Sequence, residues 1–124
     1  KRKEIINNGK CDIFLTIHLN SFPQSKYYGA QTFYSDRCKE SRRLAYAVQE
    51  ELKNVLDIDN KRVPQKTDDV YLLHEAEMPS ILIECGFLSN TREEVLLTDE
   101  VYQEKIAWAI YIGITKYFNE KNFD

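Results

Sequence analysis

The sequence predicts an α/β fold, a twisted and mostly parallel sheet flanked by helices. Three observations carry that expectation. Two short runs, residues 12–19 and 80–85, are rich in Ile, Leu and Phe on both faces, as in strands covered by helices on either side. Longer segments carry apolar stripes at helical spacing, Leu44, Val48, Leu52 and Val55 in one and Tyr102, Ile106, Ala109, Ile110, Gly113 and Tyr117 in the other. The two kinds of segment alternate along the chain, which favours a layered arrangement.

Residues 1–8 suit a helix, and Asn8-Gly9 suits its stop. Residues 12–19 form the first strand. The polar stretch 20–29, with Pro23, reads as a loop at a strand end, where function concentrates. Residues 30–34 give another strand. Ser35-Asp36 then offers an N-cap for a helix running to about residue 56. Residues 57–69 are a polar connection, and Val70-Tyr71-Leu72-Leu73 suggests a short strand. Met78-Pro79 interrupts before the second buried strand at 80–85. Ser89-Asn90-Thr91 with Glu93 and Glu94 is a helix start with acids in its first turn. The last helix covers about 99–119. There is no internal repeat or linker. The chain starts at Lys1, inside a helical pattern, so we expect the carboxy-terminal part of a longer polypeptide, with one edge of the core uncovered.

The 124 residues suffice for one domain. Hydrophobic content of 43% and charged content of 30% are those of a globular protein. The formal net charge of -3, without a dense basic run, argues against nucleic-acid or acidic-lipid binding. No apolar run approaches the ~20 residues of a membrane span, and no signal peptide is present; either would lie upstream. Cys11, Cys38 and Cys85 lack the spacing of a disulfide framework or zinc knuckle. Cys11 and Cys85 read as small core residues.

Each buried run ends on one ionisable residue, His18 in the first and Glu84 in the second. Both fall near the carboxyl ends of their strands, where α/β folds bind ligands. A strand-held imidazole is an available zinc ligand, and a carboxylate among apolar neighbours has a raised pKa suited to proton shuttling. A hydrolytic metal site is the first hypothesis. The plainer alternatives are a core histidine bonded to a carbonyl and a salt-bridged glutamate. His74 reads as a loop histidine that can reach a substrate. Cys85 beside Glu84 raises a thiol nucleophile, against an inert buried thiol. Asn20, Ser21 and Asn90 can orient an amide or sugar, or serve as turn formers and caps. Arg62 can hold a carboxylate, with a solvated loop position as the default. Tyr27-Tyr28 suits a substrate wall or a protein interface.

Thr16-Ile17-His18-Leu19-Asn20-Ser21 resembles the S-I-H-x-N-[AS] motif of the zinc-dependent N-acetylmuramoyl-L-alanine amidases of the amidase-3 family. Residues 29–34 are similar to the strand that follows it there. Pro79-Ser80-Ile81-Leu82-Ile83-Glu84-Cys85-Gly86-Phe87-Leu88-Ser89-Asn90 is similar to its P-x-x-L-x-E-x-G-F-[IL]-[ST]-N motif. The resemblance covers essentially the whole chain and is nearest to the spore-cortex, germination-type branch. It implies a phosphorylase/hydrolase-like sheet between helices, with residues 1–124 as the C-terminal part of one catalytic domain. It implies His18 as a zinc ligand and Glu84 as the catalytic carboxylate, with Asn20 and Asn90 shaping the substrate site. The reaction would be hydrolysis of the amide joining N-acetylmuramic acid to L-alanine in peptidoglycan, outside the cytoplasm, in the cell envelope or spore. The family's other two zinc ligands, a His in a G-H-G-G turn and a Glu, match nothing here. They are expected upstream of residue 1, and the chain alone is expected to be inactive. A non-catalytic peptidoglycan-binding or regulatory module ranks second and a cysteine hydrolase on Cys85 third. A protein partner is left open.

Overall fold

In a computed structural model, residues 1–123 are described, with side chains described through residue 120. Helix α1 (Arg2–Asn8) leads into strand β1 (Phe14–Asn20). Strand β2 (Gln31–Tyr34) is followed by helix α2 (Glu40–Leu56) and the two-residue strand β3 (Gln65–Lys66). A short helix α3 (Tyr71–Glu75) precedes strand β4 (Ser80–Phe87), and helices α4 (Thr91–Leu97) and α5 (Glu100–Phe123) complete the order.

The sheet runs β1-β4-β2-β3. β1/β4 and β2/β3 pair in parallel, and β2/β4 antiparallel. The expected α/β sheet flanked by helices is present, with two parallel pairings and one antiparallel pairing among the described residues. Its central strand, β4, is buried along nearly its whole length. Ile81, Ile83 and Cys85 face α2 and α5, where Leu44, Val48, Leu52, Ala109 and Ile110 join them in one core. Leu44, Val48 and Leu52 are fully buried, and each contributes roughly 1.5–3 kcal/mol by leaving water. Helices α2 and α5 touch closely because Gly113 has no Cβ: one built there would lie 2.7 Å from Val48 Cα and 3.1 Å from the Ala47 carbonyl oxygen.

Three local expectations change. Residues 70–73 begin helix α3 instead of forming a strand. Leu73 and Ala76, three apart, are buried while Tyr71 is exposed, and a four-residue apolar run cannot separate the two periodicities. Helix α2 starts at Glu40, behind Lys39, without a side-chain cap, and Ser35 Oγ instead accepts from the Arg37 N–H at 3.2 Å. β3 lies in the connection read as irregular. Its Lys66 pairs with Tyr34 and forms an ion pair with Asp36 at 2.9 Å, contacts that no apolar alternation announces.

β1 also differs from the strand expected. It pairs with β4 alone among the described residues, and Ile17 and Leu19 are 57% and 48% exposed. The segment is thus only partly covered, paired with β4 on one edge and without a strand partner on the other among the described residues.

Replacing Gly113 with Ala forces a methyl group against the α2 backbone, which cannot rotate away. We expect Gly113→Ala to cost about 1–3 kcal/mol and to lower the thermal midpoint by about 3–10 °C, read by differential scanning calorimetry. An unchanged midpoint would show that the two helices separate freely.

Candidate active site

The β1/β4 register sets Thr16 against Leu82 and His18 against Glu84. On the other side of β4, Gln31 stands against Glu84. Residues in register on neighbouring strands leave the same face of a sheet. One row therefore reads His18, Glu84, Gln31, on the face opposite α2 and α5. The sequence placed the first two at strand ends; the parallel pairing brings them side by side.

Beyond this row the register slips. After His18/Glu84 the next pair is Asn20/Phe87, so β4 carries one extra residue. Bulges re-aim side chains beside functional sites. The extra length includes Gly86, where a Cβ would lie 3.1 Å from Glu93 Oε1. That oxygen accepts from the Phe87 N–H at 2.9 Å and from the Gly29 N–H at 3.0 Å. Glu93 is buried in the first turn of α4, where the helix dipole favours an anion. One carboxylate thereby ties the end of β4 to the approach to β2.

Glu84 is half-buried. Its Oε2 is fully enclosed and has no hydrogen-bond partner among the described residues. Burial pushes its carboxyl above the usual carboxylate range, while His18 beside it acts in the opposite, weaker sense. An enclosed carboxylate oxygen without a donor is costly, and a cation or a proton removes that cost. His18 is exposed, not buried as the sequence suggested, because β1 is open on its outer edge. A hydrogen bond of 2.9 Å joins its Nε2 to Thr16 Oγ1, two residues back on the same face.

This pair offers zinc one imidazole and one carboxylate. Among the described residues no group of three or more His, Cys, Asp or Glu comes together. A catalytic zinc takes three protein ligands and keeps one position open. The donor types fit the metal and their number falls short of a complete set.

The loop after β1 folds over the end of β4. The Phe22 N–H donates to Ser89 Oγ at 2.9 Å, and Phe22, Tyr27 and Phe87 form an aromatic cluster. Asn90 caps α4 by accepting from the Glu93 N–H at 3.1 Å, and its Nδ2 donates to the Ser25 carbonyl at 2.9 Å. Its amide is engaged at both ends. Asn20 Oδ1 accepts from the Ser21 N–H at 2.8 Å.

Gln31 is a site-face residue that sequence reasoning missed. Its polarity within residues 30–34 was visible, but its pairing with Glu84 is a tertiary fact. Gln31 also orders Arg62, whose Nη1 donates to Gln31 Oε1 at 3.0 Å. Arg62 Nε donates to the Tyr28 carbonyl at 2.8 Å, and the guanidinium lies 5.0 Å from the centroid of the Phe87 ring.

The remaining candidates lie apart from this row. His74 sits exposed on α3. Cys85 leaves β4 on the face opposite Glu84, beside Ile106 and Ile110, so no thiol–His18 pair forms. All three cysteines are free, and Cys11 is exposed rather than a core residue.

Residues 1–116 match the family model described as N-acetylmuramoyl-L-alanine amidase. The germination-specific N-acetylmuramoyl-L-alanine amidase of Bacillus subtilis is 39% identical over 98% of this chain and 51% of its own length. The chain thus spans about half of that relative. The CwlD amidase of Clostridioides difficile, solved in complex with the GerS lipoprotein, is 60% identical with a TM-score of 0.93, over 95% of this chain and 60% of that one. An N-acetylmuramoyl-L-alanine amidase from Clostridium difficile 630 is 31% identical with a TM-score of 0.88, over 97% and 64%.

Cys85 is 3% exposed, and its thiol is pushed up to about 11, chiefly by burial and further by the Glu84 charge. The thiolate is the reactive form. At pH 8 we therefore expect iodoacetamide to modify Cys11 in the folded protein and to reach Cys85 only after unfolding, by peptide mass spectrometry. Rapid native labelling of Cys85 would contradict the burial described.

Proposed function

Because the chain belongs to the N-acetylmuramoyl-L-alanine amidase family, we propose that it supplies part of a catalytic domain that hydrolyses the amide between N-acetylmuramic acid and L-alanine in peptidoglycan. The observation that carries this reading is the enclosed, unpartnered Oε2 of Glu84 in register with His18. Residues 1–124 are read as the C-terminal part of that domain. Its role is read as cell-wall or spore-cortex remodelling outside the cytoplasm, a reading supported by its likeness to a germination-specific amidase and to CwlD. No helix among the described residues is long and apolar enough to cross a membrane. A protein partner is part of the proposal, since C. difficile CwlD was solved with a lipoprotein.

His18 would be one zinc ligand, its ring orientation fixed by Thr16, with the remaining ligands outside residues 1–124. Bound zinc supplies Lewis acidity toward an amide carbonyl and acidifies water. Glu84 takes the proton of the attacking water and delivers it to the departing amine of L-alanine. Its burial suits that exchange, because the neutral form is less disfavoured than in water. Asn20 and Asn90 contribute by holding the loop that borders the substrate. A second reading, a peptidoglycan-binding module without catalysis, is favoured by the incomplete donor set.

The two readings separate in the full-length protein. We expect Glu84→Gln to lower kcat for muropeptide release about 10²–10⁴-fold with zinc content unchanged. A wild-type rate in that variant would remove Glu84 as the proton carrier. His18→Ala should lose zinc on dialysis, measured by elemental analysis. Glycan binding without zinc or turnover in the wild type would select the binding module.

A further inference from the structure

A cleft of about 410 Å³ opens beside the proposed site, lined by Lys26, Tyr27, Tyr28, Asp59, Lys61 and Arg62. It gathers three cations against one acid in a chain whose net charge is -3. Lys26, Lys61 and Arg62 form no ion pair among the described residues. Arg62 is nevertheless held in place. A carbonyl, an amide oxygen and the Phe87 ring fix it, and all three are uncharged. Those contacts engage two of the five guanidinium N–H groups. Holding a cation rigid with neutral partners leaves its charge and its three remaining N–H groups, two of them on Nη2, for a carboxylate.

The cleft is also in the right place. Arg62 bonds the side chain of Gln31, and Gln31 is the register partner of Glu84. The guanidinium thus lies one strand and one side chain away from the proposed proton carrier. Neighbouring strands are about 5 Å apart, and an extended peptide advances about 3.5 Å per residue. A substrate cut beside Glu84 therefore brings the next one or two residues of its peptide to Arg62.

We infer that the Lys26–Lys61–Arg62 cleft is a subsite for the carboxylate of the acidic residue that follows L-alanine in the peptide stem. This rests on the amidase reading and names the part of the substrate that the cleft selects. Tyr27 and Tyr28 supply apolar walls along the stem, and Lys26, packed over the Tyr27 ring at 5.4 Å, adds charge at the mouth.

The test uses the full-length Glu84→Gln protein, so that no ligand is consumed. N-acetylmuramoyl-L-alanyl-D-glutamate and its α-amidated isoglutamine twin, each with the γ-carboxyl capped as its methylamide so that only the α-carboxyl differs, are titrated by calorimetry. The free acid should bind about tenfold more tightly than the amide. That preference should fall below about threefold on adding Arg62→Gln. It should also fall in a Lys26→Gln/Lys61→Gln pair, which removes two charges without touching the Arg62 braces. Arg62→Lys, which keeps charge and loses the fork, should retain only part of it. Equal binding of acid and amide, or a preference undiminished in both variants, overturns the subsite. Tighter binding of a polyol-phosphate wall polymer than of either muropeptide also overturns it. A wild-type protein that cleaves neither muropeptide while the acid preference holds leaves the subsite standing and the amidase reading fallen. Cleavage without any preference does the reverse.

Discussion

Everything at the site follows from where β4 sits in the sheet. Placed between β1 and β2, it has a register partner on both sides at residues 81–84. Glu84 is thereby flanked by His18 and Gln31. A shift of one residue in either pairing would turn the carboxylate toward α2 and α5 and into the apolar core, since side chains alternate faces along a strand. The core resists that shift because Ile81, Ile83 and Cys85 already fill the other face. The constraint on the His18–Glu84–Gln31 row is thus a packing constraint on the residues that alternate with it along β4.

A second lock acts at the end of the strand. Glu93 accepts from the amides of Phe87 and Gly29, and a Cβ at Gly86 or Gly29 would sit 3.1 Å from its nearest side-chain atom, tight enough that the neighbour must shift slightly. At Gly29, whose φ is +103°, a side chain would also be strained. Charge in this protein is divided by use. Glu93 is buried and answered by two N–H groups, Glu84 is half-buried with one enclosed oxygen that has no partner among the described residues, and Arg62 is fixed yet without an ion pair there. The first belongs to the architecture, and the other two are groups that a substrate would complete.

Much of this was legible in the sequence, and the parts that were not share a cause. The apolar runs ending on His18 and Glu84 located two members of the row, and the stripe through Leu44, Val48 and Leu52 located the helix that covers its back. The acids after Asn90 marked the start of α4, although not the bond from Glu93 to Gly29, 64 residues away in sequence. Gln31 stayed anonymous because its meaning lies in pairing with another strand, and one-dimensional periodicity carries no pairing; Arg62 was marked as able to hold a carboxylate, but not its bond to Gln31. Residues 70–73 were misread for a related reason: a run of four apolar residues fits a strand and a helical turn equally. The burial of His18 was overestimated because a strand sequence does not say how many neighbours it has.

The outer edge of β1 carries a consequence for anyone handling the protein. Among the described residues that edge has no strand partner, and beside exposed Ile17 and Leu19 it is a template onto which an extended chain can add. Without a cover for that edge, the polypeptide becomes its own glue as concentration rises. Lysine or glutamate substituted at position 17 or 19 would then act as a solubilising gatekeeper, next to His18 in sequence but leaving the strand on its other face.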